Sequence, residues 1–194
     1  RHLNQRSEML SGISHDLRTP LTRLKLQLTM LSQKEISKKM SADIDEMEKM
    51  LNDYLQFAKS QVQEDTSEIS IHEFFHEILR NFNMKNVNLV FEEENFILNG
   101  RRNALKRCFT NLIQNGVSYG KNVFIKISKT KSRMAVIIED NGPGIPEDQY
   151  RNVFKPFFRI DKSRSLNKSG VGLGLSISED IINSHGGNIK LAKS

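Results

Sequence analysis

One cysteine, Cys108, stands in 194 residues, which excludes an intrachain disulfide and fits a reducing compartment. Tryptophan is absent and tyrosine occurs three times, so the aromatic part of any core falls to eleven phenylalanines. No apolar run approaches the roughly 18 residues that a bilayer span needs. Charge of one sign is not concentrated either. Twenty-nine Lys and Arg against 23 Asp and Glu leave a net charge of +6, spread along the chain. Such a balance serves phosphates, nucleic acid or solubility equally and assigns none of them. The chain opens at Arg1 and reads as part of something longer, whose preceding portion could be membrane-bound.

What is present falls into two grammars. Residues 1–60 carry no strand pattern and only two strong breakers, Gly12 and Pro20. Leu10, Leu17, Leu24 and Leu31 recur every seven residues, widened by Ile13, Leu21 and Leu28. After the polar break at Ser32-Gln33-Lys34, Met40, Ile44, Met47, Leu51, Leu55 and Ala58 continue an apolar stripe. This pattern predicts an antiparallel helical hairpin. Two helices cover too little of each other's apolar face, so a dimer completing a four-helix bundle is expected. Residues 61–68, "QVQEDTSE", read as a linker.

From 69 to 194 the pattern is α/β. Ile69 and Ile71 predict a short strand, and Phe74, Ile78, Leu79 and Phe82 a helix. Val87, Leu89 and Phe91 alternate as a strand, and a helix follows from about Arg102 to Tyr119, closed by Gly120. Val123, Ile125, Ile127 and then Met134, Val136, Ile138 predict a hairpin turning at Lys129–Ser132. Seven of the eleven glycines and three of the four prolines lie between Asp140 and Gly187. The closing "GNIKLA" looks strand-like. The chain stops soon after it, which predicts a cut or incomplete C-terminal end.

"SHDLRTPLTR", Ser14–Arg23, interrupts the first helix. If Leu10, Leu17 and Leu24 mark the buried seam, His15 falls on the outer face, with Thr19 one turn on beside it. A neutral imidazole is a competent nucleophile near neutral pH, and the adjacent Asp16 can orient it or take its proton. Pro20 removes the amide that would bond the Asp16 carbonyl, loosening the helix there. A solvated surface histidine would look the same apart from these neighbours.

Asn111 and Asn115, spaced i,i+4, put two neutral amide oxygens on one helix face, which suits a magnesium ion held mostly by phosphates and water. Gly116, between them and the helix end, costs about 1 kcal/mol mid-helix. In "EDNGPGI", a carboxylate at a strand end, Asp140, can accept from an adenine amine. Gly142 and Gly144 admit close approach and positive φ. "VGLGLS" with Gly170, Gly172 and Gly174 opens an amphipathic helix whose bare amides suit phosphate oxygens. The glycines match neither a Walker loop nor a Rossmann fingerprint. "FKPFFR", Phe154–Arg159, reads as a mobile lid anchored by its phenylalanines. A rival signal is "HEFFH", His72–His76, a literal H-E-x-x-H zinc pattern. The longer metzincin pattern fails, with Leu79 and Phe82 at the glycine and third-histidine positions. The acidic run Glu92–Glu94 follows a strand rather than a helix.

"SHDLRTPL" resembles the phosphoacceptor box of sensor histidine kinases, and the hairpin resembles their dimerisation and phosphotransfer domain. "SHDLRTPLTRLKLQL" with "DYLQFA" is most similar to EnvZ-type osmosensor kinases. The order of asparagine box, first glycine box, phenylalanine box and second glycine box resembles the Bergerat-type ATP-binding domain shared with DNA gyrase, Hsp90 and MutL. In that family Gly116 is usually alanine. The resemblance implies a dimeric helical bundle joined to an α/β sandwich, in domains 1–60 and 69–194. It implies ATP and Mg2+, with His15 as phosphoacceptor, Asp16 beside it, and Thr19 serving dephosphorylation of a partner. Nucleotide contacts are implied at Asn111, Asn115, Tyr119, Asp140, Gly142, Gly144, Ile145, Phe154, Phe157, Arg159, Gly170, Gly172, Leu173 and Gly174, with Asn115 as the metal ligand. The implied partners are a second copy and a response-regulator receiver domain, with no nucleic acid. The implied location is the cytoplasmic side of a bacterial inner-membrane protein. A zinc hydrolase using 72–76 and a non-catalytic nucleotide-binding scaffold are the alternatives.

Overall fold

The computed structural model describes residues 17, 19–30, 34–59, 64–82, 85–93, 95–130, 133–160 and 172–193. The chain divides into two compact units, 1–63 with 165–173, and 64–164 with 174–194.

In the first unit a helix, α1, runs over residues 19–29 and a second, α2, over Lys34–Lys59. Leu21, Leu28 and Ile44 form its small buried cluster. Leu17 and Leu24 are 47% and 48% exposed, and Met40 and Met47 are exposed as well. The expected seam through Leu17 and Leu24 is therefore displaced. Within one chain the flank of the stripe at Leu21 and Leu28 meets Ile44, and Leu17 and Leu24 face outward. A stripe of this width has two edges, and a single partner helix covers one of them. Ser37 Oγ donates to the Leu28 carbonyl at 2.7 Å, closing the end of α1 from across the turn. Lys25 pairs with Asp45 and, at 3.2 Å, with Glu48, and these two carboxylates hold its ammonium above the usual lysine range.

In the second unit β1 (Ser67–Ser70) pairs antiparallel with β3 (Ile97–Gly100). A three-stranded sheet has the order β2-β4-β5, with β2 (Val87–Phe91) parallel to β4 (Val123–Thr130) and β4 antiparallel to β5 (Arg133–Asp140). Helices α3 (Ile71–Leu79), α4 (Arg102–Tyr119) and α5 (Gly174–Ser184) complete it. Val123, Ile125 and Ile127 alternate into the core, as the period-2 pattern requires. Phe124, Val90 and Ile137 stand on the exposed face. Phe74, Phe75 and Phe109 meet at centroid distances of 4.9–6.2 Å, joining α3 to α4.

Three sequence expectations are corrected. Ile69 and Ile71 are both buried, but the strand ends at Ser70 and Ile71 already begins α3. Asn95 supports that switch: its Oδ1 accepts from the His72 amide at 3.3 Å and from Ser70 Oγ at 3.2 Å. Phe82 lies beyond the helix, in the following turn. Residues 188–193 form no strand; the segment after Gly187 is irregular.

Candidate nucleotide site

The end of α4 and the end of β5 are packed so closely that glycine is required between them. A Cβ at Gly142 would lie 2.6 Å from Asp140 Oδ1 and 2.7 Å from the Tyr119 carbonyl oxygen. A Cβ at Gly116 would lie 3.0 Å from Val123 Cγ2. The expected penalty at Gly116 thus has a compensation, since the bare helix face lets α4 sit down on β4. The Gly142 amide donates to Asp140 Oδ1 at 2.8 Å, which fixes the carboxylate at the strand end. Asn141, which the sequence reading passed over, accepts from the Lys121 and Asn122 amides at 2.7 and 2.8 Å. It clamps the α4–β4 connection to the turn after β5. Its only sequence signal is the Asn-Gly dipeptide, a common turn pair. Gly144 has φ +72°, the left-handed region that glycine supplies freely.

The second convergence is between α4 and α5. A Cβ at Gly174, the first residue of α5, would lie 3.8 and 3.9 Å from Asn111 Cβ and Cγ and 3.9 Å from Asn115 Nδ2. Asn111 and Asn115 are half-buried one turn apart. The two helices are locked behind this point by Ser178, whose hydroxyl donates to the Gly174 carbonyl at 2.9 Å and to the Cys108 carbonyl at 3.3 Å. Burial pushes the Cys108 thiol up to about 12, so it is an inert packing group. The start of α5 therefore opens beside two amide side chains of α4, with the Asp140–Gly142 turn against the C-terminal turn of α4, just past Asn115. Neutral amides, bare helix amides and one carboxylate form a donor and acceptor set that fits a nucleotide with its metal.

The other expected positions fall on other segments of the chain. Tyr119 ends α4 and is exposed; Ile145 is half-buried. A 3-10 turn over Glu147–Gln149 leads into successive turns. In those turns Phe154 and Arg159 are half-buried, while Val153 is 6% exposed. Phe157 is 57% exposed with φ +64°, so it is no anchor here, and the inward hold falls to Val153. Gly172 has φ +78°, and Leu173 is buried. Thr19 is an exposed residue of α1. His15, Asp16 and Gly170 lie outside the described residues.

The H-E-x-x-H segment does not form a metal centre. The His72 ring stacks on Phe91 at a centroid distance of 3.7 Å, while His76 stays exposed at 6.0 Å. Among the described residues no group of three or more His, Cys, Asp or Glu could hold a metal. The zinc alternative has no support.

Comparison with known proteins gives the same two-part layout. Residues 5–63 match the His Kinase A (phospho-acceptor) domain. Residues 100–194 match the family of histidine kinase-, DNA gyrase B- and HSP90-like ATPases. The sensor histidine kinase GtrS of Pseudomonas aeruginosa is 32% identical over 192 residues, covering 98% of this chain and 40% of that protein. CpxA of Escherichia coli is 29% identical over 98% of this chain and 44% of its own length. The chain thus spans less than half the length of these relatives. Full-length ShkA, solved with AMPPNP, shares the fold at TM-score 0.77 and 19% identity, over 96% of this chain and 43% of that one. The ATP-binding domain of PrrB from Mycobacterium tuberculosis matches at TM-score 0.53 and 25% identity, over 68% of this chain and 89% of that one. No helix among the described residues is long and apolar enough to cross a membrane. With a phosphoacceptor domain followed by a histidine kinase-type ATPase domain, the chain belongs to the sensor histidine kinases of two-component systems.

Proposed function

We propose that the chain is the catalytic core of an ATP-dependent protein-histidine kinase. His15 accepts the γ-phosphoryl group, and an aspartate of a response-regulator receiver domain takes it on. The observation that carries this reading is the approach of Gly174 to Asn111 and Asn115 on a helix whose C-terminal turn, just past Asn115, packs on Asp140 and Gly142. Asn115, with Asn111 beside it, would hold Mg2+ against the phosphates, and Asp140 would accept from the adenine amine. Mg2+ held there would supply charge neutralisation for the phosphoryl group, and the chain's own residues would contribute positioning.

The exposed Leu17, Leu24, Met40 and Met47 support a homodimer that covers the second edge of the hairpin's stripe. The domains are assigned as 1–60 for phosphotransfer, 61–68 for the linker and 69–194 for ATP binding. Thr19 would orient a water for hydrolysis of the regulator's acyl phosphate. The longer protein is assigned to a bacterial inner membrane, with this portion on the cytoplasmic side. The EnvZ-type subclass rests on "SHDLRTPLTRLKLQL" and "DYLQFA" alone; the relatives described above are GtrS and CpxA.

Incubation with γ-labelled ATP and Mg2+ tests the reading. Acid-labile label on the chain, passed to a receiver domain, is the expected result. Nucleotide binding without any label would leave only a nucleotide-binding scaffold.

A further inference from the structure

Helix α4 begins without the devices that normally start a helix. Its N-cap, Arg101, makes no side-chain capping bond, and its first turn holds no acidic residue. Arg101 and Arg102 instead put positive charge at the positive end of the helix dipole, an unfavourable placement. Two of the orphan amides are nevertheless satisfied. Asn103 N donates to Glu64 Oε1 at 2.8 Å, and Ala104 N donates to Glu64 Oε2 at 3.0 Å. One carboxylate from outside the helix does what an N-cap aspartate would do from inside it.

Glu64 opens the second unit, and residues 64–66 form the segment connecting its start to β1. The rest of the α4 entry is held by other residues of the same unit. Arg101 N donates to His185 Nε2 at 3.1 Å, and Glu77 pairs with Arg102 and, at 2.5 Å, with Lys106. Glu64 is thus the contact through which the connecting segment reaches the helix that carries Asn111 and Asn115.

We propose that Glu64 is a positioning residue for the nucleotide site, capping α4 from the connecting segment so that the state of that segment and nucleotide affinity are coupled. The proposal rests on the reading of Asn111 and Asn115 as nucleotide ligands. With Glu64 in place, the first turn of α4 is closed and the helix is fixed against the sheet. When the connecting segment moves away, two amides lose their acceptor, the first turn frays, and the asparagine face loses its register with Gly174. Linkage makes the effect reciprocal, so nucleotide binding tightens the Glu64 contact in return.

The test uses the whole chain, TNP-ATP as the nucleotide probe, and hydrogen exchange resolved at single amides. Glu64→Ala is expected to speed exchange at Asn103 and Ala104 about fivefold, the usual effect of losing a cap. It should also weaken TNP-ATP binding several-fold. Glu64→Gln, which keeps one accepting oxygen and the same shape, should fall between. Adding Arg101→Asp to Glu64→Ala supplies a local cap, so protection and affinity should return. Nucleotide-induced protection of residues 64–66 should not return, because that coupling runs through the Glu64 side chain. Unchanged exchange in Glu64→Ala would overturn the cap. Faster exchange with unchanged TNP-ATP affinity would overturn the coupling and leave Glu64 a local stabiliser. Failure of the unsubstituted chain to bind TNP-ATP would instead defeat the reading of the site itself.

Discussion

A methyl group on Gly174, the first residue of α5, would reach van der Waals range of Asn115, at 3.9 Å from its amide nitrogen and at the same distance from Asn111 Cγ. The second glycine box therefore opens directly beside the amide face of α4. Because the added methyl meets its neighbours at ordinary contact distance, Gly174→Ala should fold normally. Removing a helical glycine should leave the melting temperature unchanged or raised, since alanine is favoured by up to about 1 kcal/mol in a helix. The methyl occupies space that a phosphate and its metal need, so MgATP affinity, read by calorimetry, should fall at least about tenfold. A variant as tight as the parent would remove Gly174 from the site.

Cys108 gives a prediction about pH. Burial raises its thiol from an ordinary 9.0 to about 12. The folded state therefore binds its proton more tightly than the unfolded state does. This part of the stability is complete below pH 9 and is lost as pH rises from about 9 through about 12. In native buffer a thiol reagent should modify Cys108 only as fast as the domain opens, and at once in denaturant. Cys108→Ala should lose stability to the small cavity, by about 1 kcal/mol, yet show a shallower fall in melting temperature across that alkaline range. An equally steep fall in both chains would show that the thiol does not contribute.

Much of this was legible in the sequence, for identifiable reasons. The alternation of Val123, Ile125 and Ile127 and of Met134, Val136 and Ile138 gives β4 and β5, because each strand has one buried face. The run from Arg102 to Tyr119 gives α4 to the residue. β3 was not legible. Phe96, Ile97 and Leu98 are three apolar residues in a row, with Phe96 buried and Ile97 60% exposed, so neither period appears. The pair Ile69 and Ile71 gives burial correctly and the element wrongly, since a strand end and a helix start can point the same way. Which edge of the leucine stripe is covered within one chain depends on where α2 crosses, which a heptad count does not contain. Four motifs of the candidate site are visible in the sequence, but not the reason for Gly142 or the role of Asn141. Both depend on the α4 C-terminus reaching β5. Glu64 capping α4 joins residues too distant in sequence for any local pattern to show.

Thr19 is exposed on α1, and mutation distinguishes the proposed phosphatase role from a structural one. Thr19→Ala should keep autophosphorylation and phosphotransfer near parental rates while slowing dephosphorylation of the phosphorylated receiver at least about tenfold. An exposed substitution of this kind shifts stability by less than about 0.5 kcal/mol. Kinase and phosphatase rates falling together with the melting temperature would make Thr19 a structural residue of the helix beside Pro20.

The most direct test is autophosphorylation of the parent chain and of His15→Gln with γ-labelled ATP and Mg2+, followed by acid treatment and a parallel measurement of nucleotide affinity. The account predicts label on the parent that is lost in acid, none on His15→Gln, and equal nucleotide affinity in both, because Asn111, Asn115, Asp140 and Gly174 lie in the second unit. Label that persists on His15→Gln, or that survives acid on the parent, would contradict it.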